Sequence, residues 1–303
     1  MPNPKNKIEK ILVVRNDRFG EFLLNIPAIR ALKETFPDAK IILAVSPEVK
    51  ELASTVEYTD QVVVWDDDFR KSLGRYRFDA CIVLNPIKEA HLASFLARIP
   101  VRVGYGRKWG FLLTRKIPDK KNLGLKHEVE SNLELVSLIG AKTVDKSISL
   151  GKLPERVNPE YTGAVAVHPF TSDLVKQWPL ERFMELAVRI AQELKSKVVL
   201  VGRVEDRGTV PLGVIDLINR TSLVELAQTL KQCRLLVTCD SGPMHLASAV
   251  GIPVVALFRN DLPGKTALRW GPRSSHSIVI EKNNLSEISV DEVFDKVKGA
   301  LSR

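Results

Sequence analysis

Apolar and polar positions along the chain form alternating blocks, in which short apolar runs are separated by longer segments of helical periodicity. The first run, at residues 11–15, is followed by a loop at residues 16–20 and by a predicted helix at residues 21–34. Further strands of the first half are predicted at residues 40–45, 61–65, 80–84 and 101–104. Near-continuous apolar strands that alternate with helices indicate a parallel sheet covered on both faces.

The alternation lapses at residues 151–161, which contain two prolines, and then restarts. This lapse predicts a linker between two domains, residues 1–155 and residues 156–303. The last predicted helix either closes the second domain or packs back on the first. Strands of the second half are predicted at residues 164–168, 197–202, 213–216, 235–239, 253–258 and 277–281. The pattern predicts an α/β protein of two Rossmann-like domains facing a central cleft, with ligands beyond the carboxyl ends of the strands.

The composition is that of an ordinary globular protein. Of 303 residues, 45% are hydrophobic and 27% are charged, and no apolar run approaches the roughly 18 to 20 residues that span a bilayer. The three cysteines are scattered, and Cys81 and Cys239 lie in apolar runs. We therefore expect buried thiols in a reducing compartment, and hence a cytoplasmic protein, without a disulfide framework.

The net charge of +9 is unevenly placed. Residues 98–126, here called the basic segment, contain nine lysines and arginines and one acidic residue, Asp119. The segment is either an ordinary solvated face or the binding site of an anionic partner such as a phospholipid or a phosphorylated glycan. It has no nucleic-acid-binding motif and no regular aromatic interleaving, so we expect no nucleic acid partner.

The first candidate loop, residues 15–21, directly follows the first predicted strand. Glu21 lies at the start of the next helix, where a carboxylate either accepts a proton from an attacking hydroxyl or merely complements the helix dipole. The loop lacks the glycine spacing of a dinucleotide site, which argues against a dehydrogenase.

The second candidate loop, residues 168–179, follows the first strand of the second half. Thr171 and Ser172 can donate hydrogen bonds and Lys176 offers a compact positive charge, a combination that suits a diphosphate. The same segment can also be interpreted as the start of a helix, with Pro179 in the first turn and Trp178 packed just before the helix. Both interpretations hold if Trp178 and Pro179 fix the direction of Lys176.

The third candidate loop, residues 240–245, opens a helix after a predicted strand. Backbone amides at Ser241 and Gly242, together with the positive end of the helix, can form an anion site. Asp240 either binds a sugar hydroxyl or caps the helix. No candidate cluster has the spacing of metal ligands, and the acidic run at residues 66–68 is interpreted as the exposed start of a helix, so no metal cofactor is expected.

Taken together, these loops resemble the bacterial ADP-heptose–lipopolysaccharide heptosyltransferases, glycosyltransferase family 9, over nearly the whole chain. The matching segments, in chain order, are residues 20–32, 102–105, 168–179 and 240–253. The resemblance implies a GT-B fold and an inverting, metal-independent transfer of heptose from ADP-heptose to a lipopolysaccharide inner-core acceptor, Kdo-lipid A or heptosyl-Kdo-lipid A.

The resemblance also implies roles for individual residues. Glu21 is the expected general base, and Lys176 is expected to stabilise the leaving diphosphate. The implied contacts to the sugar nucleotide are Thr171, Ser172, Lys176, Glu205 (on the ribose), Asp240, Ser241, Gly242 and His245. The anionic glycolipid acceptor is expected against the first domain, with peripheral contact at the inner face of the inner membrane. The expected acceptor contacts are Arg18, Arg102, Arg107 and Lys108.

One position departs from the family pattern, because Glu21 stands where the family usually has Asp. A displacement of a catalytic group by about 1 Å can cost on the order of 100-fold in rate. Two alternatives therefore stay open: the same fold with another nucleotide sugar or a protein acceptor, and a sugar-nucleotide-binding protein with impaired catalysis. A sugar-nucleotide 2-epimerase shares the two-domain architecture but does not explain the combination of motifs.

Overall fold

The structure is a computed structural model that describes residues 8–205 and 208–302. It divides into two compact units: residues 8–122 with 128–146 form the first, and residues 123–127 with 147–302 form the second. The predicted domain boundary, between residues 155 and 156, lies within the irregular segment that precedes the first strand of the second unit.

The first unit is built on a six-stranded sheet in which each strand runs parallel to its neighbours, as predicted. Its strands are β1 (Lys10–Arg15), β2 (Lys40–Val45), β3 (Gln61–Val64), β4 (Ala80–Val83), β5 (Val101–Tyr105) and β6 (Arg115–Ile117). Its helices are α1 (Phe19–Leu23), α2 (Ile26–Thr35), α3 (Lys50–Ala53), α4 (Asp67–Ser72), α5 (Lys88–Leu96) and α6 (Glu128–Ser137). The strand order β3-β2-β1-β4-β5-β6 reverses between β1 and β4.

The predicted single helix at residues 21–34 is wrong, because the structure has two helices there, α1 and α2. Pro27 is the second residue of α2, and a proline inside a continuous helix would clash with the carbonyl four residues earlier. The buried Asn25 lies in the break, and its amide donates to the carbonyl of Phe22 at 3.3 Å. The break ends α1 soon after Glu21 and lets α2 pack separately.

Strand β6 was not predicted, because Arg115 and Lys116 give it no apolar run. It forms by parallel pairing with β5 at the edge of the sheet, where charged side chains can remain in water. The predicted start of a helix at the acidic run is confirmed, since the Asp66 carboxylate accepts from the Phe69 amide at 2.8 Å and caps α4.

The second unit repeats the same sheet topology with the strand order β12-β11-β10-β7-β8-β9, again fully parallel. Its strands are β7 (Val165–His168), β8 (Val198–Leu200), β9 (Ile215–Asp216), β10 (Leu235–Cys239), β11 (Val254–Arg259) and β12 (Ile278–Lys282). Its helices are α7 (Leu180–Glu193), α8 (Leu223–Gln232), α9 (Gly242–Ala249), α10 (Ala267–Trp270) and α11 (Val290–Leu301). The order reverses between β7 and β10.

The last helix, α11, packs within the second unit, where it contacts α7, β10 and β11. The sequence left open whether the last helix closes the second domain or packs on the first, and in the structure it packs in the second. Val293, Phe294 and Val297 turn its apolar face into the core that β7 and β10 share. Across the described residues, no helix is long and apolar enough to cross a membrane.

The three cysteines are buried, reduced thiols, as predicted for Cys81 and Cys239. Burial raises the pKa of Cys81, Cys233 and Cys239 to about 12, because the apolar surroundings disfavour a thiolate. These thiols therefore act as small hydrophobic side chains of the two cores.

Candidate active site

The loop after β1 lies at the point where the strand order of the first sheet reverses. Parallel sheets leave a crevice at this position, beyond the carboxyl ends of the two strands that diverge. The buried Arg15 spans the two strands: its Nε donates to the Asp17 carboxylate at 2.6 Å and its guanidinium donates to the Leu84 carbonyl, which follows β4, at 3.2 Å. This brace gives the loop that leads to Glu21 a defined path.

Glu21 lies in the first turn of α1, as predicted, and its carboxylate is largely shielded from solvent. Arg18, directly before the helix, donates to this carboxylate from an exposed position. The guanidinium and the helix N-terminus both place positive charge beside Glu21. A carboxylate at the point where the strand order reverses can accept a proton from a substrate hydroxyl, and it can equally complement the helix dipole.

Asn85 is a further polar residue at the reversal of the first sheet that sequence reasoning missed. Its amide nitrogen donates to the side chain of Asn16, after β1, at 3.3 Å. Its own Oδ1 is buried and has no hydrogen-bond partner among the described residues. Its position in the sequence could have identified it. Asn85 comes directly after the apolar run of β4, and ligand-binding residues of parallel sheets lie beyond the ends of strands.

The structure separates the residues that were expected to contact the acceptor. Arg107 and Lys108 follow the carboxyl end of β5, and both are exposed. Arg102 is the second residue of β5, at the opposite end of that strand. Its guanidinium donates to the carbonyls of Leu112 at 2.8 Å and Ile99 at 2.5 Å, so Arg102 braces the local fold.

In the second unit, the buried Trp178 anchors the loop after β7 two residues beyond Lys176. The Trp178 indole donates to the Ile288 carbonyl at 2.9 Å, and the Trp178 amide lies 3.3 Å from the sulfur of Cys239, at the end of β10. These contacts hold Trp178 in place, and the expectation that Trp178 fixes the direction of Lys176 stays a prediction. Pro179 immediately precedes α7, one residue earlier than the predicted position in the first turn.

Lys176 forms an ion pair with Asp240, which directly follows β10. The two side chains are 18% and 9% exposed, so water screens the pair much less than a surface pair. This pairing was not among the roles considered for Asp240 from the sequence. It brings the second and third candidate loops together at the reversal of the strand order between β7 and β10.

A second connection between these two loops runs through His168 and Thr238. The Nδ1 of His168 lies 2.9 Å from the Thr238 hydroxyl, which in turn lies 3.0 Å from the hydroxyl of Ser241. Burial lowers the pKa of His168 to about 3, so its imidazole is neutral near pH 7. The network fixes Ser241 at the start of α9.

The third candidate loop opens a helix, α9, as predicted. Ser241 is the N-cap, Gly242 is the first helical residue, and Pro243 follows within the first turn. The first amides of a helix lack carbonyl partners within it, and the helix dipole adds partial positive charge. His245 is buried one turn along, and its ring centroid lies 6.4 Å from that of Trp270.

The two hydroxyls of the second loop differ in their surroundings. The Thr171 hydroxyl donates to the Asp173 carbonyl at 2.7 Å and accepts from the Asp173 amide at 3.0 Å, so it stabilises a local turn. Ser172 is exposed. Lys265 binds the Asp173 carboxylate at 3.0 Å and holds the pKa of that carboxyl below its usual range.

Glu205 lies in the loop after β8, next to β7, and is exposed. Gly202 in the same loop has φ +137°, and a Cβ there would come within 2.8 Å of the rings of His168 and Phe170. The side chain of Asn219 pairs with both the amide and the carbonyl of Val204, at 2.9 and 2.7 Å. The loop is thus held at the carboxyl edge of the sheet that carries Lys176.

Residues 8–205 and 208–302 contain no group of three or more His, Cys, Asp or Glu side chains that could hold a metal ion. The sequence-based expectation that no metal is required stays a prediction, tested below.

Two Rossmann-like units of identical strand order, with polar loops at the reversal of each sheet, define a GT-B fold, the class of many nucleotide-sugar-dependent glycosyltransferases. Solved structures support this assignment. The glycosyl transferase family 9 structure from Veillonella parvula has a TM-score of 0.82 and 20% identity, over 98% of both chains. The structure of Escherichia coli ADP-heptose lps heptosyltransferase II has a TM-score of 0.79 and 23% identity, over 97% of this chain and 98% of that one.

Sequence comparison then identifies the family. The model of glycosyltransferase family 9 (heptosyltransferase) matches residues 67–298. Lipopolysaccharide heptosyltransferase 3 of Escherichia coli K12 is 24% identical over 326 aligned positions, which cover 93% of this chain and 91% of that protein. The chain belongs to glycosyltransferase family 9 and is a glycosyltransferase, so the resemblance inferred from its motifs is confirmed.

Proposed function

We propose that this glycosyltransferase moves heptose from ADP-heptose to a lipopolysaccharide inner-core acceptor, Kdo-lipid A or heptosyl-Kdo-lipid A, with inversion and without a metal ion. The observation that carries the proposal is the joining of Lys176, Asp240 and the N-terminus of α9 at one edge of the second sheet. The names of relatives support the choice of sugar and acceptor, since several are lipopolysaccharide heptosyltransferases.

The second unit binds the donor in this proposal. The amides at Ser241 and Gly242 and the charge of Lys176 receive the diphosphate, and fixed dipoles of this kind stabilise the negative charge that develops on a leaving group. Asp240, already paired with Lys176, accepts a hydrogen bond from a heptose hydroxyl. His245 and Ser172 line the sugar and diphosphate, and Glu205 accepts from the ribose.

The first unit supplies the base. Glu21 takes the proton of the acceptor hydroxyl as the hydroxyl oxygen bonds to the anomeric carbon. The bond from that carbon to the diphosphate breaks on the opposite face, and ADP leaves with the electron pair. Arg18 orients the Glu21 carboxylate by donating a hydrogen bond to it, and Arg107 and Lys108 attract the anionic groups of the acceptor.

The test begins with binding of a panel of ADP- and UDP-linked sugars, followed by transfer to Kdo-lipid A and to heptosyl-Kdo-lipid A. We expect preferential binding of ADP-heptose, and a product whose anomeric configuration is opposite to that of the donor. Preference for a UDP-sugar, or transfer to a protein and not to glycolipid, would replace the proposal with the same chemistry on other substrates. Tight ADP-heptose binding without any transfer would instead indicate a sugar-nucleotide-binding protein.

A further inference from the structure

Lys176 ends a short turn, Leu174–Lys176, in the loop after β7. At this turn, the Lys176 amide donates to the Asp173 carbonyl at 2.8 Å, and the Val175 amide donates to the Asp173 carboxylate at 3.3 Å. Leu174 and Val175 are both exposed. A single turn whose apolar side chains face solvent gains little stability from burial, so contacts from neighbouring loops decide where it lies.

Two basic side chains tie this turn to another loop at the carboxyl edge of the second sheet. Arg259, the last residue of β11, donates from its guanidinium to the Val175 carbonyl at 3.3 Å. Lys265, in the loop between β11 and α10, binds the Asp173 carboxylate at 3.0 Å. The Lys265 side chain is half-exposed, so water screens its pair, whereas the Arg259 side chain is 19% exposed. Arg259 also contacts the residue next to Lys176, and it is therefore the stronger restraint on the position of that lysine.

The Arg259 contact spans the strand that leads to Asp240. In the second sheet, β10 lies between β11 and β7, and the three strands are parallel. Their carboxyl ends therefore meet at one edge, with β11 and β7 roughly 10 Å apart. A side chain that starts from β11 and reaches the loop after β7 bridges this distance beside the end of β10, where the pair of Lys176 and Asp240 lies.

Asp261 fixes the direction of the Arg259 guanidinium. Its carboxylate accepts two hydrogen bonds from Arg259, at 2.9 Å from Nε and at 2.6 Å from Nη2. Such a planar, two-bond contact is directional as well as strong, and it holds the pKa of Asp261 below its usual range. The backbone is also ordered here, because the Asn260 amide donates to the Lys282 carbonyl of β12 at 3.1 Å. Arg259 is thus directed at the Val175 carbonyl before any substrate arrives.

The charges at this edge are already matched. Three ion pairs, each of one basic and one acidic side chain, occupy it: Lys176 with Asp240, Arg259 with Asp261, and Lys265 with Asp173. A guanidinium that is engaged with its own carboxylate adds little positive potential for a substrate, because the two charges largely cancel at a distance. The observed contacts therefore favour placement of the turn as the role of Arg259, over an additional charge for the diphosphate.

We propose that Arg259 is a positioning residue of the transfer reaction, which holds the turn so that Lys176 stays beside Asp240 and the N-terminus of α9. The inference rests on the proposed function, in which Lys176 stabilises the leaving diphosphate. Preorganised charge is effective only at the place where negative charge develops. A displacement of about 1 Å can cost on the order of 100-fold in rate, so a loose turn slows the reaction even when Lys176 itself is intact.

A double-mutant cycle between Arg259 and Lys176 tests the proposal. Arg259→Met should slow turnover at saturating ADP-heptose by about tenfold or more, because the turn loses its restraint. In the Lys176→Met background, the same substitution should change turnover by less than about twofold, since the group that Arg259 positions is already gone. Arg189→Met is the matched control. Arg189, on α7, also binds two carboxylate side chains, those of Glu193 and Asp291, and its loss should not change turnover.

Two further variants separate placement from charge. Asp261→Asn leaves the charge of Arg259 in place but removes the carboxylate that directs it, so turnover should fall. If Arg259 served only as a positive charge, the same variant would instead bind ADP-heptose more tightly. Arg259→Lys keeps the charge without the planar fork, and it should recover only part of the turnover that Arg259→Met loses.

Several results would overturn the inference alone. These are turnover of Arg259→Met equal to that of Arg189→Met, equal effects of Arg259→Met with and without Lys176, tighter donor binding in Asp261→Asn, and full turnover in Arg259→Lys. Unchanged donor binding and turnover in Lys176→Met would overturn the proposed donor site, and the inference with it. Use of a UDP-sugar as the donor would correct the proposed function only, since the same cycle is then run with that sugar.

Urea unfolding verifies that each variant is folded under the assay conditions. If Arg259→Met does not fold, the sign of the effect of Asp261→Asn on donor binding and turnover decides between placement and charge.

Discussion

Lys176 and Asp240 form an ion pair, although they lie 64 positions apart in the sequence. The pair joins two loops at the point where the strand order of the second sheet reverses, between β7 and β10. Removing one partner of a shielded pair leaves the other charge without compensation, which usually costs more stability than the intact pair contributes. The pair also places a positive charge beside the N-terminus of α9 before any donor arrives. Preorganised charge of this kind favours a leaving diphosphate, because little reorganisation is needed during the reaction.

Lys176→Met should weaken ADP-heptose binding by about 10- to 100-fold and slow turnover, since a charge-assisted hydrogen bond contributes roughly 1.5 to 3 kcal/mol. It should also destabilise the fold, because Asp240 loses its ion pair with Lys176. Adding Asp240→Asn should restore part of the stability without restoring donor affinity. Calorimetric titration and urea unfolding measure the two effects. Lys265→Met, which removes a more exposed lysine paired with Asp173, is the control and should cost less than about 1 kcal/mol.

Unchanged donor affinity in Lys176→Met would remove Lys176 from the donor site. The double variant could instead be less stable than Lys176→Met. That result would show that the two residues are not coupled energetically through their ion pair.

Glu21→Gln should lower turnover by about 100-fold or more and leave ADP-heptose affinity close to that of the wild type, because it keeps the shape of the side chain but removes its basicity. Glu21→Asp restores the usual family residue. It should still be slower than the wild type, since the shorter side chain draws the carboxylate away from Arg18. Single-turnover kinetics at saturating donor separate these effects from binding.

Asp17→Asn is the matched control for Glu21. The Asp17 carboxylate is already bound to Arg15, so this change should lower turnover less than Glu21→Gln. If Asp17→Asn proves the slower variant, the role of base belongs to Asp17.

Turnover should be insensitive to EDTA and should not increase on addition of Mg²⁺, because Lys176 and the amides of α9 supply the positive potential that a metal ion supplies in other transferases. Initial rates before and after chelation provide the measurement. Loss of activity in EDTA with recovery in Mg²⁺ would reject metal independence.

Reversing the charge of Arg107 and Lys108 to Glu should raise the acceptor KM and leave the donor KM nearly unchanged. Rising salt should weaken acceptor binding of the wild type, since exposed charges are screened over about 8 to 10 Å at 0.10 to 0.15 M ionic strength. Arg102 is unsuitable for this test because it braces β5, α5 and the connection after β5. Reversal of Lys40 and Lys50, exposed in the same unit, is the control. An equal loss for both substrates would indicate general destabilisation.

The stability of the protein should fall between pH 6.5 and pH 3 partly through His168. Burial lowers its pKa in the folded state from 6.5 to about 3, so in this range the unfolded chain binds a proton that the folded chain does not. The contribution is complete above pH 6.5 and is lost as the pH falls toward 3, with a slope of at most about 1.4 kcal/mol per pH unit. His168→Asn should reduce this slope in urea unfolding at several pH values. A slope equal to that of the wild type would mean that His168 is not the group responsible.

Much of the fold can be read from local sequence patterns. Buried strands such as β1, β7 and β10 are nearly continuous apolar runs, and the helices between them have apolar faces, so near neighbours in the chain already determine these elements. The candidate loops could be located for the same reason, because each directly follows an apolar strand. Pro27 is also a local signal, because a proline disfavours one continuous helix across residues 21–34. The prediction of a single helix there did not take it into account.

The tertiary structure decided which of these elements meet. Strand β6 has no apolar pattern and exists because β5 offers it an unpaired edge. Likewise, Asp240 reaches Lys176, and Asn85 reaches Asn16, because β10 lies beside β7 and β4 lies beside β1. Strand neighbours depend on the combined packing of helices on both faces of a sheet, a balance of contacts between residues far apart in the chain. Local periodicity carries no information about that balance, so the side-chain pairs at the reversal of each sheet could be recognised only in the folded protein.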